Sequence, residues 1–400
     1  MSMTRTPREA GASSRHGVPS TDKQDPIGFA VSMLNRLAQT NVLDRLGLRK
    51  QTERVVFETT RAGFRTVGNV SRSFSRKGKP GGKPVRVPNS AEKGLFDLTP
   101  TEDEQMLVDV VTEFAGEVVR PAAAAANDAC AAPDELLGAS LEIGLPILGV
   151  PEELGGISTE RSAMAGTLVA EALAKGDMGL AVACLAPGAV ATALSLWGND
   201  EQQSTYLPAF TGEDVPAAAL ALTEPRPLFD ALSPETTATR DGDGYVLDGV
   251  KSLVPRAADA ELFVVGAMLD GKPALFLVES STEGLAIESE PSMGVRAASL
   301  GRVVLDDARV GGLALLGDES GDAYTEAVRL SRLGWCALAI GTAQAVLDYV
   351  IPYVNERQAF GEPVSHRQSV AFMVANIGIE LQAMRLVTYR AASRAAQGKP

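Results

Sequence analysis

Histidine is nearly missing from this chain of 400 residues, which holds only His16, in a polar stretch, and His366, between two helical patterns. Cysteine is almost as scarce: Cys130, Cys184 and Cys336 complete the set. Clustered His/Cys metal sites cannot be assembled from so few ligands. Ser/His catalysis would rest on His366 alone, and nothing like G-x-S-x-G frames a nucleophile for it. The cysteines are odd in number, scattered and set among apolar or alanine-rich residues, which argues for buried reduced thiols and a cytoplasmic protein. No G-x-G-x-x-G occurs. The phrase GKPGGKP is no phosphate loop, because neither lysine is followed by Ser or Thr. The first residues lack the charged, apolar, small-residue order of a secretory signal. One uncharged run, residues 178–198, is long enough to span a bilayer, but its Ala, Gly, Pro, Ser and Thr content makes insertion poor, and we expect a buried helix pair there.

Length and apolar content suit two or three packed domains. The net charge of -13 hides a split: residues 1–100 hold 18 Lys/Arg against 8 Asp/Glu, and the other 300 hold 19 against 42. A basic arm on an acidic body suggests an arm that folds back or reaches an anionic surface, rather than a body that binds nucleic acid. Residues 1–96 read as that arm. Its first 26 residues are polar and expected to be disordered. An amphipathic helix is expected at about 27–40, a second helical stretch at about 43–64, and a cationic linker without acids at 59–91.

Residues 97–218 read as a helical domain. Thr99 as N-cap, Pro100 and Glu102 predict a capping box at its start. From 219 to 318 the apolar period becomes two, in GYVLDGV, LFVVGAM and ALFLVES. The pairs Asp243-Gly244, Asp248-Gly249 and Asp270-Gly271 mark turns, predicting a small antiparallel β domain. Its hairpins are too closely spaced for βαβ crossovers, which argues against a dinucleotide fold. Residues 319–400 read as two long helices in an antiparallel hairpin, part of a helical bundle that stops at Pro400 with no third or fourth helix.

The turn of that hairpin, ERQAFGEPVSHRQ (356–368), has two readings. In one, Ser365 to Gln368 is a capping box and Gly361 a helix C-cap. In the other, Arg357, the next helix N-terminus and Gln368 bind an anion attached to a hydrogen-bonding ring, with Phe360 stacked on it. Composition does not choose between them.

Phrase order adds a further argument. VPEELGG (150–156), GNDEQQSTYLPAFTGE (198–213), ALTEP (221–225), GYVLDGVKS (244–252), MGVRAASLGRVVLDDARV (293–310) and E-R-x-x-F-G followed by Q-x-x-x-F occur in sequence. The chain from about 97 onward thus resembles the acyl-CoA dehydrogenase family. The resemblance implies an α+β multidomain fold: a helical N-terminal domain, a small antiparallel β middle domain and a C-terminal helical bundle, incomplete in this chain. It implies an FAD flavoprotein that dehydrogenates an acyl-CoA thioester across its α and β carbons. A carboxylate takes the α proton, hydride leaves the β carbon for the flavin, and hydrogen bonds hold the thioester carbonyl. Carried over, Arg357, Phe360 and Gln368 reach the FAD of a neighbouring subunit, Thr223 bonds the flavin ring, and Arg332 lies on the helix lining the acyl-CoA channel. Implied partners are the acyl-CoA, an electron-transferring flavoprotein or similar acceptor, and other subunits in a homodimer, tetramer or heteromer.

Three departures stand out. After ALTEP the family's Gly-rich loop is replaced by Arg226-Pro227-Leu228-Phe229-Asp230. After Lys251, Leu253 and Pro255 stand where the family carries an aromatic residue and a Ser/Thr. The expected catalytic glutamate is not found in 1–400: Ser331 occupies the position one family branch uses, and Glu326 lies about 140° around the helix from it. Two alternatives to an active enzyme follow. One is a non-catalytic partner subunit of a heteromeric dehydrogenase. The other is a scaffold tethered to anionic lipid or an acidic partner through residues 27–91, a peripheral membrane contact.

Overall fold

Two overlapping T-x-x-E phrases compete to open the first helix, and the later one wins. Thr101, rather than Thr99, caps α1 (Glu102–Phe114): its hydroxyl accepts the Glu104 N–H at 3.2 Å, and the Thr101 N–H donates to Glu104 Oε2 at 2.9 Å. That choice puts Glu102, Asp103 and Glu104 in the first turn, against the positive end of the helix. The computed structural model describes residues 98–156, 162–212 and 214–398. The stretches expected at 27–40, 43–64 and 59–91 lie outside them.

A π-turn at Ala115–Val119 carries α1 into α2 (Arg120–Ala129), and α3 (Asp134–Glu142) follows. Then come α4 (Ala163–Gly176), α5 (Met178–Trp197) and α6 (Asp200–Phe210). Residues 178–197 form one helix, not the expected pair. Pro187 sits inside it, and apolar residues buried on all sides hold the helix through that position. The Asp177 carboxylate caps it by accepting the Leu180 N–H at 2.9 Å.

The β domain comprises β1 (Ala218–Ala221), β2 (Thr237–Asp241), β3 (Gly244–Val254), β4 (Leu262–Leu269), β5 (Lys272–Glu279), β6 (Leu285–Ser289), β7 (Gly301–Val310) and β8 (Leu315–Leu316). The order is β6-β7-β3-β2-β4-β5-β8, with β1 beside β4. Pairing is antiparallel except that β1 and β2 run parallel to β4. Only one of the three Asp-Gly pairs turns a hairpin as read. Asp270-Gly271, with φ of 48° and 80°, joins β4 to β5 as a two-residue loop. The β2–β3 turn is Gly242-Asp243, one residue earlier than expected, because Gly242 supplies the positive φ of 62°. Asp248-Gly249 lies within β3 at a register shift, with Gly249 at φ 150°, and makes a bulge.

The helical hairpin is α7 (Asp322–Glu356) and α8 (Gln368–Ala396). The segment between them holds two short strands, β9 (Gln358–Ala359) and β10 (Glu362–Pro363), turned by Phe360-Gly361 at φ of 56° and 82°. Gly361 is therefore a hairpin turn residue, not a helix C-cap. The expected Ser365–Gln368 box does not form either: Ser365 lies in a 3-10 turn, and α8 starts after Arg367 with no side-chain cap. The strand pair sets the spacing of the two helix ends, leaving no cap geometry for Ser365. Arg385 fastens α8 by donating to Glu171 Oε1 at 2.7 Å and Gln344 Oε1 at 2.8 Å. Along α8, Phe372, Met373, Ile379, Met384 and Val387 remain exposed. By length and composition α5, α7 and α8 are each apolar enough to cross a membrane, although α5 is mostly buried within the fold.

Candidate functional site

Small residues at helical spacing hollow out a cavity of about 360 Å³ between α4, α5, α7 and the edge of the β domain. On α4 the wall is Ala163, Gly166, Thr167 and Ala170; on α7 it is Ala327, Ser331, Gly334 and Leu338, each set one turn apart. From α5 come Leu185, Ala186, Ala189, Thr192 and Trp197, and from the β domain Leu222, Thr223, Leu253 and Pro255. Trp335 and Leu253, each 48% exposed, mark its open side. No Asp, Glu, His, Lys or Arg lines it among the described residues.

Behind Thr223 the wall is anchored by a buried ion pair that the sequence reading did not find. Lys251 is fully buried, and its Nζ lies 2.8 Å from Glu224 Oε1. Glu224 also accepts the Thr236 N–H at 2.9 Å, the Thr236 hydroxyl at 2.8 Å and the Glu235 N–H at 2.8 Å. Burial alone would raise the Glu224 pKa, but the Lys251 ammonium and these donors outweigh it and hold the carboxyl below its ordinary value. Burial pulls the Lys251 ammonium below its ordinary value despite Glu224. The pair fixes the residue next to Thr223, whose carbonyl accepts the Ser252 N–H at 2.9 Å.

Glu290 makes a second anchor that was also missed. It accepts the Leu253 N–H at 2.7 Å and the Ser252 hydroxyl at 2.8 Å, and pairs with Arg302 at 2.9 Å. Burial pushes its carboxyl up, yet the Leu253 N–H, the Ser252 hydroxyl and Arg302 bring it below the ordinary value. Leu253 is held at φ 56°, a strained setting for a branched-chain residue, and the Glu290 contact keeps it there. The signal in both cases is a charged residue inside an apolar strand pattern or beside one, but its partner is 27 or 38 residues away.

Most of the residues singled out in the sequence fall into two places, and Arg332 and Glu326 into neither. Thr223 and Ser331 come together at the cavity, with Leu253 and Pro255 beside them. Arg332 is exposed and is not part of the cavity wall. Glu326 is chelated by Arg329, with two contacts of 2.7 Å, and also stays off the wall. Arg357, Phe360 and Gln368 gather instead at the exposed tip of the α7–α8 hairpin. There the Arg357 guanidinium lies 5.6 Å from the Tyr353 ring centroid and donates to its hydroxyl, while Arg367 stacks 4.9 Å over Phe360.

Three domain models match in order: the acyl-CoA dehydrogenase N-terminal domain over residues 101–214, the middle domain over 219–308 and the C-terminal domain over 321–400. A curated relative is the mitochondrial short/branched chain specific acyl-CoA dehydrogenase of Rattus norvegicus, 32% identical over 310 residues, with 75% of this chain and 71% of that protein covered. Among solved structures, butyryl-CoA dehydrogenase from Megasphaera elsdenii has a TM-score of 0.69 and 26% identity, covering 76% of this chain and 82% of that one. A chain from a study of the electron transferring flavoprotein of Acidaminococcus fermentans has a TM-score of 0.69 and 30% identity, at 76% and 82% coverage. The FAD complex of PigA has a TM-score of 0.69 and 25% identity, also at 76% and 82%.

Proposed function

From the membership of this chain in the acyl-CoA dehydrogenase family, we propose that it binds FAD and an acyl-CoA thioester and takes part in α,β-dehydrogenation of the acyl group. The observation that carries this reading is the apolar cavity enclosed by all three family domains, with Thr223 and Ser331 as hydroxyls at its lip. The residues present suit FAD. A neutral wall with exposed Leu253 and half-buried Pro255 suits the flat face of a ring, and the hairpin tip offers a guanidinium, an aromatic ring and an amide for the diphosphate end of a cofactor held by a neighbouring subunit. When bound, FAD supplies the acceptor for the β hydrogen and its electron pair.

The chain's own residues bind, orient and exclude water. Thr223 offers a hydroxyl to the ring edge. The aliphatic wall keeps the acyl carbons dry, which strengthens every hydrogen bond to the thioester oxygen. Ser331 presents a hydroxyl to the same space but cannot take a carbon-bound proton without activation. No described residue of the wall is a carboxylate. That observation favours a second reading, in which the chain is a partner subunit that lends Arg357, Phe360 and Gln368 to another chain's FAD. An electron-transferring flavoprotein, or a similar acceptor, is the electron partner in either case.

Absorbance separates the two. Protein purified with FAD supplied is expected to be yellow and to bleach on adding butyryl-CoA or another acyl-CoA. Protein that stays colourless after FAD addition and gel filtration would refute the enzyme reading in favour of the partner subunit.

A further inference from the structure

Three of the cavity's five described Ser and Thr hydroxyls are already committed. Thr167 Oγ1 donates to Ala163 O at 2.8 Å, and Thr192 Oγ1 to Gly188 O at 2.7 Å. Ser162 Oγ donates to Glu104 Oε1 at 2.7 Å. Of the hydroxyls in the wall among the described residues, Thr223 and Ser331 are not spent on such contacts, and the Trp197 and Trp335 indoles add one neutral N–H each. Away from these four groups the wall has, among the described residues, neither a cation nor a free polar proton to give. A carboxylate carried there would lose its water and gain no donor, which proteins do not tolerate without a partner.

The width of this space has an equally specific origin. Gly166 on α4 and Gly334 on α7 both line the cavity, and a Cβ built at either meets nothing within 4 Å. Other glycines of the wall differ. A Cβ on Gly149 would fall 1.9 Å from Thr192 Oγ1, and one on Gly188 would fall 2.9 Å from Leu145 O, so those two serve close packing rather than space. Gly166 and Gly334 leave room that an occupant can fill.

We infer that the site selects thioesters of neutral, apolar acyl groups and rejects those ending in a carboxylate, and that Gly166 and Gly334 set the width of its acyl channel. The inference rests on the cavity being an acyl-CoA site, and adds which acyl groups it takes. Each methylene buried against the wall is expected to tighten binding about fourfold, until the cavity is full. Discrimination against a terminal carboxylate is expected to reach ~100-fold.

Both tryptophans of the chain, Trp197 and Trp335, line the cavity, so their emission reports its occupancy. The test titrates the full chain, with FAD supplied, against propionyl-, butyryl-, pentanoyl- and glutaryl-CoA, with free CoA as the control. Pentanoyl and glutaryl share a five-carbon chain and differ by the terminal carboxylate. Tight pentanoyl-CoA binding with ~100-fold weaker glutaryl-CoA binding is expected. Equal affinities would overturn the inference while leaving the acyl-CoA reading standing. If no acyl-CoA perturbs the emission beyond free CoA, the acyl-CoA reading falls, and this inference with it. Gly166→Leu is expected to erase the gain per methylene while keeping the wild-type helical circular dichroism. Gly166→Ala, a smaller filling with better helix propensity, guards against a folding defect. Unchanged chain-length dependence in both variants would refute the assignment of Gly166.

Discussion

Replacing Lys251 by methionine removes the ammonium in contact with Glu224, a carboxylate that is itself shielded from water. Breaking a buried pair on one side typically costs about 3–5 kcal/mol, because the remaining charge stays buried and uncompensated. Here Glu224 would still accept three hydrogen bonds from Glu235 and Thr236, which places Lys251→Met at the lower end, about 3 kcal/mol. Pairing it with Glu224→Gln removes the stranded charge and is expected to restore more than half of the loss. Urea denaturation at pH 7, read by circular dichroism, gives the midpoints and slopes. The pH dependence follows from the Glu224 carboxyl lying below its ordinary 4.5 in the fold. A depressed native pKa contributes stability that is complete above the unfolded value and is lost as pH falls through the native one. The wild type therefore weakens on acidification. In Lys251→Met, burial without the ammonium favours the protonated acid, so the gap between variant and wild type should narrow below about pH 4.5. A Lys251→Met loss under about 1 kcal/mol, as for an exposed pair, would refute the argument.

Two other outcomes are expected. Arg357→Ala should weaken FAD retention during gel filtration while leaving the thermal transition of the chain nearly unchanged, because the Arg357 side chain is exposed and contacts Tyr353, one turn back at the end of α7, while its backbone bonds survive the change; unaltered FAD affinity would make the hairpin tip a simple turn. Against the expectation of three buried thiols, Cys130 and Cys336 are exposed; Cys184 alone of the three is buried, and its thiol is pushed up to about 11, chiefly by that burial. A thiol reagent at pH 8 should thus label two cysteines quickly and Cys184 only on unfolding, and rapid labelling of all three would contradict the described packing.

Features carried by neighbours in sequence were legible. The change from helical to two-residue periodicity separates the helical and β parts, and the phrases ALTEP and E-R-x-x-F-G point to Thr223, Arg357 and Phe360. Errors arose where local signals compete or where geometry intervenes. Thr99 and Thr101 both head a T-x-x-E phrase, and the acids of the first turn decide between them. Asp248-Gly249 has the composition of a turn but became a strand bulge, because β3 continues through it to pair with β7. Ser365 and Gly361 have the composition of caps, yet a two-strand hairpin took their place.

The sequence by itself determined the order of elements, the apolar faces and the positions from which functional hydroxyls and cations project, since all of these depend on dihedral preferences and on contacts within a few residues. Tertiary structure alone decided that Lys251 meets Glu224, that Glu290 holds Leu253 at a strained position in β3, and that Gly166 and Gly334 open onto one space. The physical reason is separation. These partners lie tens to more than a hundred residues apart, and burial, which sets the cost of every charge in the site, is a property of the packed whole that no local pattern carries.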